Sequence, residues 1–221
     1  MIADSRITDY IHSLESSQGE LCDRIEREAR LAYVPIIRRE TASLLKTLVA
    51  SARPGKILEI GTAVGYSALL MCQAMPRDCH ITTIEKYEKR IPAARENFRL
   101  AGEEERITLL AGEADDMLDS LKGQLFDFVF MDAAKGQYLN WLPMIMGLMR
   151  EGAMLVSDNV LQDGDIVQSR FAVERRNRTI HSRMREYLYE LKHNESLETA
   201  ILPIGDGVAL SVYTGQKRGT A

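Results

Sequence analysis

Five short apolar runs recur through the middle of the chain, each separated from the next by a segment long enough for one helix. The runs occupy residues 56–60, 80–84, 107–110, 126–131 and 153–157. The helix-length segments between them occupy residues 67–74, 88–101, 114–121 and 137–149. Strands and helices that alternate at this spacing predict an α/β fold, in which a parallel sheet carries helices on both faces.

The two ends of the chain depart from this alternation. Residues 1–53 read as N-terminal helices over 4–14, 19–31 and 37–50, and Arg53-Pro54-Gly55 ends the last of them. Runs 198–203 and 208–214 are joined only by Ile204-Gly205-Asp206-Gly207, which is too short for a crossover helix. They predict an antiparallel hairpin at the edge of a seven-stranded, mostly parallel sheet. We expect a single domain over residues 1–221, with its α/β core at 54–215.

The composition excludes several classes of protein. With 45% hydrophobic and 27% charged residues, the 221-residue chain has the mix of a globular protein rather than a disordered one. No apolar run approaches the roughly 20 residues that span a bilayer, and the first residues lack the layout of a secretory signal. Cys22, Cys72 and Cys79 show no CxxC spacing, which argues against a zinc knuckle or a disulfide framework. We therefore expect a cytoplasmic protein without a membrane partner.

A glycine-bearing loop follows the first apolar run. Its sequence places Glu59, Gly61 and Gly65 where the carboxyl end of a strand meets the start of a helix. The loop lacks the middle glycine of the G-x-G-x-x-G pattern that holds a pyrophosphate, which disfavours a nicotinamide-dependent oxidoreductase. The added carboxylate would repel a phosphate but attract a cationic ligand. The alternative reading is a plain tight turn.

A second acid strengthens the ligand interpretation. Glu85 ends the second run, about 20 residues after the glycines, where an acid commonly accepts hydrogen bonds from ribose hydroxyls. An acidic glycine loop and a ribose acid together favour S-adenosylmethionine, which has ribose and adenine but no phosphate. Gly112, Glu113 and Ala114 follow the third run and are expected along the adenine edge.

The next two runs also end in oxygen-bearing side chains. Asp132 follows the fourth run, and Asp158 and Asn159 follow the fifth. The carboxyl ends of parallel strands meet at one edge of a sheet, so these three side chains can converge. Oxygen donors without histidine or cysteine suit a hard cation, and Mg²⁺ is the expected ion. The alternative makes Asp132 a helix cap and Asp158-Asn159 a turn.

Four ordered motifs, LEIGTAVGYS, TTIEK, FVFMDAAKGQY and VSDNVLQDGDIV, resemble the cation-dependent O-methyltransferases typified by the catechol and caffeoyl-CoA enzymes. The resemblance covers residues 34–213 and implies a class I methyltransferase with a Rossmann-like fold, commonly a homodimer. It implies that the cofactor contacts are Val34, Glu59, Gly61, Ser67, Glu85, Ala114 and Asp132. It implies that the metal ligands are Asp132, Asp158 and Asn159, and that Lys135 is the catalytic base beside Asp132. Plant members carry Asp-Ala-Asp-Lys where this chain has Asp-Ala-Ala-Lys, a departure at one cofactor-contacting position.

One segment has a charge opposite to that of the whole chain. Residues 170–193 carry six arginines and one lysine against three glutamates, a balance of +4 within a chain of net charge −4. Helical spacing predicts that the apolar residues of this segment face the core, namely Ile180, Met184, Tyr187, Leu188 and Leu191. Arginine clusters pair with phosphates and stack on bases, so we expect nucleic-acid contacts at Arg175, Arg176, Arg178, Arg183 and Arg185. The alternative is a solvated or salt-bridged helix face.

The arginine-rich stretch, together with VPIIRRE near the N-terminus, also resembles the bacterial tRNA 5-hydroxyuridine methyltransferases. That resemblance implies methylation of the wobble uridine to 5-methoxyuridine, with the tRNA anticodon stem-loop as partner. A small-molecule catechol-type O-methyltransferase with the same site residues is the alternative, because a catechol also offers two vicinal oxygens. A non-catalytic RNA-binding module is disfavoured by the intact set of metal ligands.

Overall fold

Seven strands form one sheet in the computed structural model, which describes residues 4–215. The strand order is β3-β2-β1-β4-β5-β7-β6. The strands are β1 (Lys56–Ile60), β2 (His80–Glu85), β3 (Ile107–Ala111), β4 (Phe126–Met131), β5 (Met149–Ser157), β6 (Leu197–Leu202) and β7 (Val208–Tyr213). The helices are α1 (Ser5–Leu14), α2 (Glu20–Leu31), α3 (Arg39–Ala52), α4 (Tyr66–Ala74), α5 (Ile91–Ala101), α6 (Ala114–Ser120), α7 (Tyr138–Gly147) and α8 (Arg178–His193). Short 3₁₀ turns lie at Lys135–Gln137, Gln162–Val167 and Arg175–Asn177.

The strand directions confirm the predicted α/β fold. Strands β1 to β5 are parallel, and β7 pairs antiparallel with both β5 and β6. Strand β6 therefore runs in the same direction as the first five, and the expected hairpin closes one edge of the sheet. The register sets Ile60 opposite both Ile84 and Met131, so the carboxyl ends of β1, β2 and β4 are level. Residues that follow these strands emerge side by side.

The central strand β4 is buried on both faces, as the nearly unbroken apolar run predicted. Val129 and Met131 pack into the cluster formed with α6, α7 and α8. Phe128 and Phe130 pack into the opposite cluster, with α3, α4 and α5. Because side chains alternate along a strand, only a strand covered by helices on both sides buries all four.

Strand β5 is longer than the apolar run suggested. It begins at Met149, which pairs with Phe126, whereas Met154 pairs with Phe128. The residues between these two pairs form a bulge that includes Gly152 at a φ of 86°. Because polar residues occupy this bulge, the hydrophobic pattern predicted that the strand starts at residue 153 and that the preceding helix ends at residue 149.

Helix α8 buries a face slightly different from the predicted one. Met184, Tyr187 and Leu191 are fully buried as expected. The prediction for Ile180 is wrong, because that side chain is 36% exposed while the neighbouring His181 is buried. A stripe at 181, 184, 187 and 191 has the same helical spacing as one that begins at 180, so the pattern could not separate the two.

No helix within residues 4–215 combines the length and hydropathy needed to cross a bilayer.

Gly65 at the start of α4 is the glycine whose replacement tests the fold most directly. Its φ is 84°, and a Cβ there would lie 2.5 Å from Cε1 of Phe98 on α5. We expect Gly65→Ala to lower the free energy of unfolding by about 2–4 kcal/mol, from backbone strain and overpacking together. Gly102→Ala is the matched control, because Gly102 has a φ of 69° with nothing within 4 Å of the added Cβ. It should cost about 1 kcal/mol. Equal losses in urea unfolding would contradict the predicted clash.

Candidate active site

A cleft of about 520 Å³ opens at the carboxyl edge of the sheet. Residues that follow β1, β2, β3 and β4 line it, which is where ligands bind in open α/β sheets. The residues of the sequence prediction that line the cleft are Gly61, Ser67, Glu85, Ala114, Asp132 and Lys135. The wall includes neither Val34 nor Glu59 among the described residues, so direct cofactor contacts of these two stay predictions.

Gly61 allows the two central strands to close the floor of the cleft. Its φ is 107°, and a Cβ at this position would collide with the backbone carbonyl of Asp132. The Asp132 amide in turn donates to the carbonyl of Ile60 at 3.0 Å. A side chain at Gly61 would therefore separate the strand ends that carry the cofactor loop and the first predicted metal ligand.

Backbone amides hold Glu85 in place. Its Oε2 accepts from the Ala63 amide at 2.7 Å, and its Oε1 accepts from the Tyr87 amide at 2.8 Å. Ala63 adopts the left-handed conformation, with a φ of 47°, which brings its amide to the carboxylate. The carboxylate is thus fixed at the end of β2 and retains acceptor capacity for the hydroxyls of a ligand.

Glu59 lies beneath the glycine loop and is fully buried. It accepts hydrogen bonds of 2.5 Å from the hydroxyls of Ser67 and Thr83. Burial raises the pKa of Glu59 to about 7, although the two hydroxyls act in the opposite direction. Its hydrogen bond from Ser67 links the end of β1 to the first turn of α4, so the observed contacts of Glu59 stabilise the glycine loop between them.

A half-buried carboxylate, Asp132, follows β4, and a buried one, Asp158, follows β5. The Asp158 amide donates to the carbonyl of Met131 at 3.0 Å, which brings Asp158 beside Asp132. Burial raises the pKa of both carboxyls, and the charge of Asp132 raises that of Asp158 further. Oδ1 of Asp158 accepts from the Asn159 amide at 2.8 Å. Its Oδ2 is buried and has no hydrogen-bond partner among the described residues.

This arrangement fits a hard cation. No three His, Cys, Asp or Glu side chains in residues 4–215 come together as a metal cluster, and the predicted set instead combines two carboxylates with the amide of Asn159. A buried carboxylate oxygen without a donor is costly, as is the repulsion between two neighbouring carboxylates. A bound divalent cation would relieve both costs, and oxygen donors are the ligands that Mg²⁺ prefers.

Asp206 joins this group and was missed by sequence analysis. The side-chain amide of Asn159 donates to Oδ1 of Asp206 at 2.5 Å. Asp206 lies in the turn between β6 and β7, which the sequence marked only as a hairpin. Pairing of Ser157 with Ala209 brings that turn beside Asp158. Sequence analysis could have identified Asp206 only from the antiparallel register between β5 and β7, which the sequence does not reveal.

Lys135 stands at the mouth of the cleft, on the 3₁₀ turn after β4. Its Nζ lies 3.8 Å from Oδ1 of Asp132. The buried Tyr138 braces the same loop, because its hydroxyl accepts from the Ala133 amide and lies 3.2 Å from the Met131 carbonyl. Trp141, also missed from the sequence, lines the cleft and donates to Asp115 at 3.2 Å.

The five predicted arginines divide into two groups. Three donate to backbone carbonyls of neighbouring segments: Arg178 to Phe171 and Val173, Arg183 to Gly136, and Arg185 to Ile166. Arg176 pairs with Glu174 at 2.7 Å yet remains 81% exposed, and Arg175 is exposed. A guanidinium has five N–H donors, so one carbonyl contact leaves others for a phosphate. Nucleic-acid contact stays a prediction for all five.

The chain is similar to known methyltransferases over most of its length. It matches the O-methyltransferase family over residues 16–213. A catechol O-methyltransferase from Niastella koreensis is 32% identical over 126 residues, which cover 56% of this chain and 57% of that protein. Caffeoyl-CoA O-methyltransferase 1 from Eucalyptus globulus is 30% identical over 183 residues, which cover 77% of this chain and 72% of that protein. The chain thus spans little more than half the length of the Niastella relative.

A solved structure is similar over nearly the whole chain. The O-methyltransferase TomG from Streptomyces achromogenes, involved in tomaymycin synthesis and solved in complex with S-adenosylmethionine, is 25% identical with a TM-score of 0.83. The match covers 95% of this chain and 96% of that one.

The raised pKa of Glu59 predicts a pH-dependent stability. The folded protein keeps a proton on Glu59 up to about pH 7, whereas the unfolded chain releases it above about 4.5. The stabilisation that protonated Glu59 contributes is therefore fully present below pH 4.5 and is lost as the pH rises to about 7. Relative to Glu59→Gln, the wild-type free energy of unfolding should fall by on the order of 3 kcal/mol across that interval. Urea unfolding between these pH values checks this, with exposed Glu88→Gln as control. Parallel curves for wild type and Glu59→Gln would refute it.

Proposed function

This chain belongs to the O-methyltransferase family, an S-adenosylmethionine-dependent class of enzymes, and we propose that it methylates 5-hydroxyuridine at the wobble position of tRNA. S-adenosylmethionine is the proposed donor, Mg²⁺ the proposed cofactor and 5-methoxyuridine the product. The observation that carries the proposed chemistry is the sheet edge itself. There, Glu85 and Asp132 line one cleft, and Asp158 keeps a buried oxygen without a partner in residues 4–215.

The donor would lie along the cleft from β1 to β3. Glu85 would accept hydrogen bonds from the ribose hydroxyls, since backbone amides already hold its carboxylate. Gly61 lets the backbone approach the ligand, and Ala114 and Trp141 line the part of the cleft proposed for adenine. Bound S-adenosylmethionine supplies a methyl group on a sulfonium, which the acidic edge of the sheet favours.

The acceptor would meet the donor beside Asp132. Asp132, Asp158 and Asn159 would hold the cation, which when bound fixes the acceptor oxygens and lowers the pKa of the attacking hydroxyl. Lys135 Nζ would accept the proton that the attacking hydroxyl loses, and the donor would supply the methyl group from its sulfonium. The cleft and the arginine-rich segment contribute by holding two reactants in line.

The choice of RNA as acceptor rests on charge. The +4 segment continues from the loop after β5, and Arg183 donates to the carbonyl of Gly136, next to Lys135, at 2.7 Å. The positive segment therefore contacts the turn that carries the proposed base. A polyanion bound along α8 would have its reacting base near Lys135.

A catechol-type small molecule is the second candidate acceptor. The names of the Niastella and Eucalyptus relatives favour it, because both describe enzymes that act on small phenolic compounds. The proposed donor, cation and base residues are the same for both acceptors. The two candidates differ in their need for the arginines.

A homodimer is also proposed. Helix α1 exposes an apolar stripe at helical spacing: Ile7, Tyr10, Ile11 and Leu14, each more than 40% exposed. A stripe of this kind on a surface helix commonly packs against a partner. A second copy of the chain is the proposed occupant.

Removal of the cation or of one ligand charge should abolish methyl transfer. We expect no turnover of hydroxyuridine-containing tRNA in excess EDTA and recovery with added Mg²⁺. Asp158→Asn keeps the shape of the side chain but removes a charged ligand, so turnover should fall by more than about 100-fold while affinity for S-adenosylhomocysteine is retained. Exposed Asp119→Asn is the control. Full turnover in EDTA, read by nucleoside mass spectrometry, would exclude the cation.

Replacement of two exposed arginines just before α8 separates the candidate acceptors. Arg175→Ala/Arg176→Ala should weaken tRNA binding and flatten its salt dependence, by roughly 0.7–0.9 in slope for each phosphate that the variant no longer neutralises. Methylation of a small catechol should be unaffected, because the pair does not line the cleft. A salt titration of tRNA affinity checks this.

The control for that experiment removes the same charge elsewhere. Arg95→Ala/Arg99→Ala, on the exposed face of α5, should leave the salt slope unchanged. An unchanged slope and normal tRNA methylation in the Arg175/Arg176 variant would favour the small-molecule acceptor.

A further inference from the structure

The turn between β6 and β7 is docked onto the segment that follows β5. The Val160 amide donates to the Gly207 carbonyl at 2.9 Å, and the Leu161 amide donates to the Asp206 carbonyl at 3.0 Å. Gly207 has a φ of 98°, and a Cβ there would collide with Leu161. The turn is thus seated by two backbone hydrogen bonds and by a contact that admits only glycine.

This docking places the Asp206 carboxylate on the side chain of Asn159. Nδ2 of Asn159 donates to Oδ1 of Asp206 at 2.5 Å, a charge-assisted hydrogen bond. The opposite amide orientation would set the Asn159 carbonyl oxygen against a carboxylate, which is repulsive. Asp206 therefore selects one of the two amide orientations, and Oδ1 of Asn159 points away from it.

The backbone of Asn159 is constrained to match. Its φ of 59° is left-handed, and its amide donates to Oδ1 of Asp158. The neighbouring Oδ2 of Asp158 is the buried oxygen that has no hydrogen-bond partner among the described residues. Asn159 is thus held at its main chain by Asp158 and at its side chain by Asp206.

Arg38, the residue before α3, binds the 3₁₀ turn after β5 and lies beside the turn between β6 and β7. It donates to both carboxylate oxygens of Asp163 at 2.8 Å. A Cβ at Gly205 would lie 3.6 Å from Cδ of Arg38, so its side chain reaches the turn. The Arg38 guanidinium also attracts the Asp206 carboxylate.

We infer that Asp206 is a positioning residue: it holds the Asn159 amide so that Oδ1 faces the cation site shared with Asp132 and Asp158. The inference rests on the proposed cation-dependent methyl transfer and adds a residue that acts through another. Asp206 itself is not assigned as a ligand, because its Oδ1 is engaged by Asn159. The geometry assigns the Gly205-Asp206-Gly207 turn a role in metal binding beyond closing a hairpin.

The test is the affinity of the full chain for Mn²⁺, a spectroscopic probe of hard-cation sites, measured by electron paramagnetic resonance. Asp206→Ala removes the acceptor and should weaken Mn²⁺ binding about 10- to 100-fold. Asp206→Asn keeps an oxygen that can accept the same hydrogen bond but adds an NH2 group that can pair with the flipped Asn159 amide, so it should restore part of the affinity. Asp165→Ala removes one negative charge from the nearby 3₁₀ turn and should leave the affinity unchanged. Affinity for S-adenosylhomocysteine confirms that each variant is folded.

Turnover gives a second reading. In Asp206→Ala the Mg²⁺ concentration for half-maximal methylation should rise by the same factor, while the rate at saturating Mg²⁺ should recover most of its wild-type value. A residue that only stabilised the fold would not produce this separation.

Three results would contradict the inference, and they are distinguishable. Wild-type affinity in Asp206→Ala would show that Asn159 does not need it. Equal losses in Asp206→Asn and Asp206→Ala would make the charge, rather than the hydrogen bond, the active feature. A wild-type protein that binds S-adenosylhomocysteine but not Mn²⁺ would instead overturn the proposed cation site itself.

Discussion

Burial of negative charge at one edge of the sheet is the constraint on which the site depends. Level strand ends bring Glu59, Glu85, Asp132 and Asp158 to one edge, where carboxylates removed from water need compensating partners. Each acid is compensated differently: two hydroxyls serve Glu59, two backbone amides serve Glu85, and Lys135 lies near Asp132. Asp158 has two carboxylate oxygens, and only one of them accepts a hydrogen bond within the described residues, from the Asn159 amide. Among these four acids, Asp158 is the one with a buried oxygen that has no hydrogen-bond partner in residues 4–215, which supports the proposed cation site.

The sequence was informative wherever local pattern decides structure. Apolar runs separated by helix-length segments predicted the parallel strands, and a four-residue turn predicted the hairpin. The residues after the strands were predicted to meet, and Gly61, Glu85 and Asp132 do line one cleft. Features that depend on register were not accessible. Asp206 reaches Asn159 only because β7 pairs antiparallel with β5, and the bulge of β5 lies in polar residues.

Charge counting located the arginine-rich segment but could not assign its contacts. Arg178 and Arg185 donate to carbonyls within the loop that leads from β5 to α8, and Arg183 reaches the turn that carries Lys135. These guanidiniums therefore hold the segment's shape whatever binds to it. Arg175 and Arg176 project beyond that framework, so they are the better indicators of a polyanionic partner. The net charge of +4 counts both kinds of arginine alike, so it could not distinguish them.

The N-terminal helices contribute to the site although they lie outside the alternating core. Arg38 donates to Asp163 in the 3₁₀ turn that follows Asn159, and Gly205 in the hairpin turn approaches Thr41 on α3. Two loops that emerge from different strands are thereby held against one helix. Asn159 lies in the first of these loops and donates to Asp206 in the second, so its position depends on all three segments. Residues far apart in sequence must therefore fold together before the side chains at this edge of the sheet are ordered.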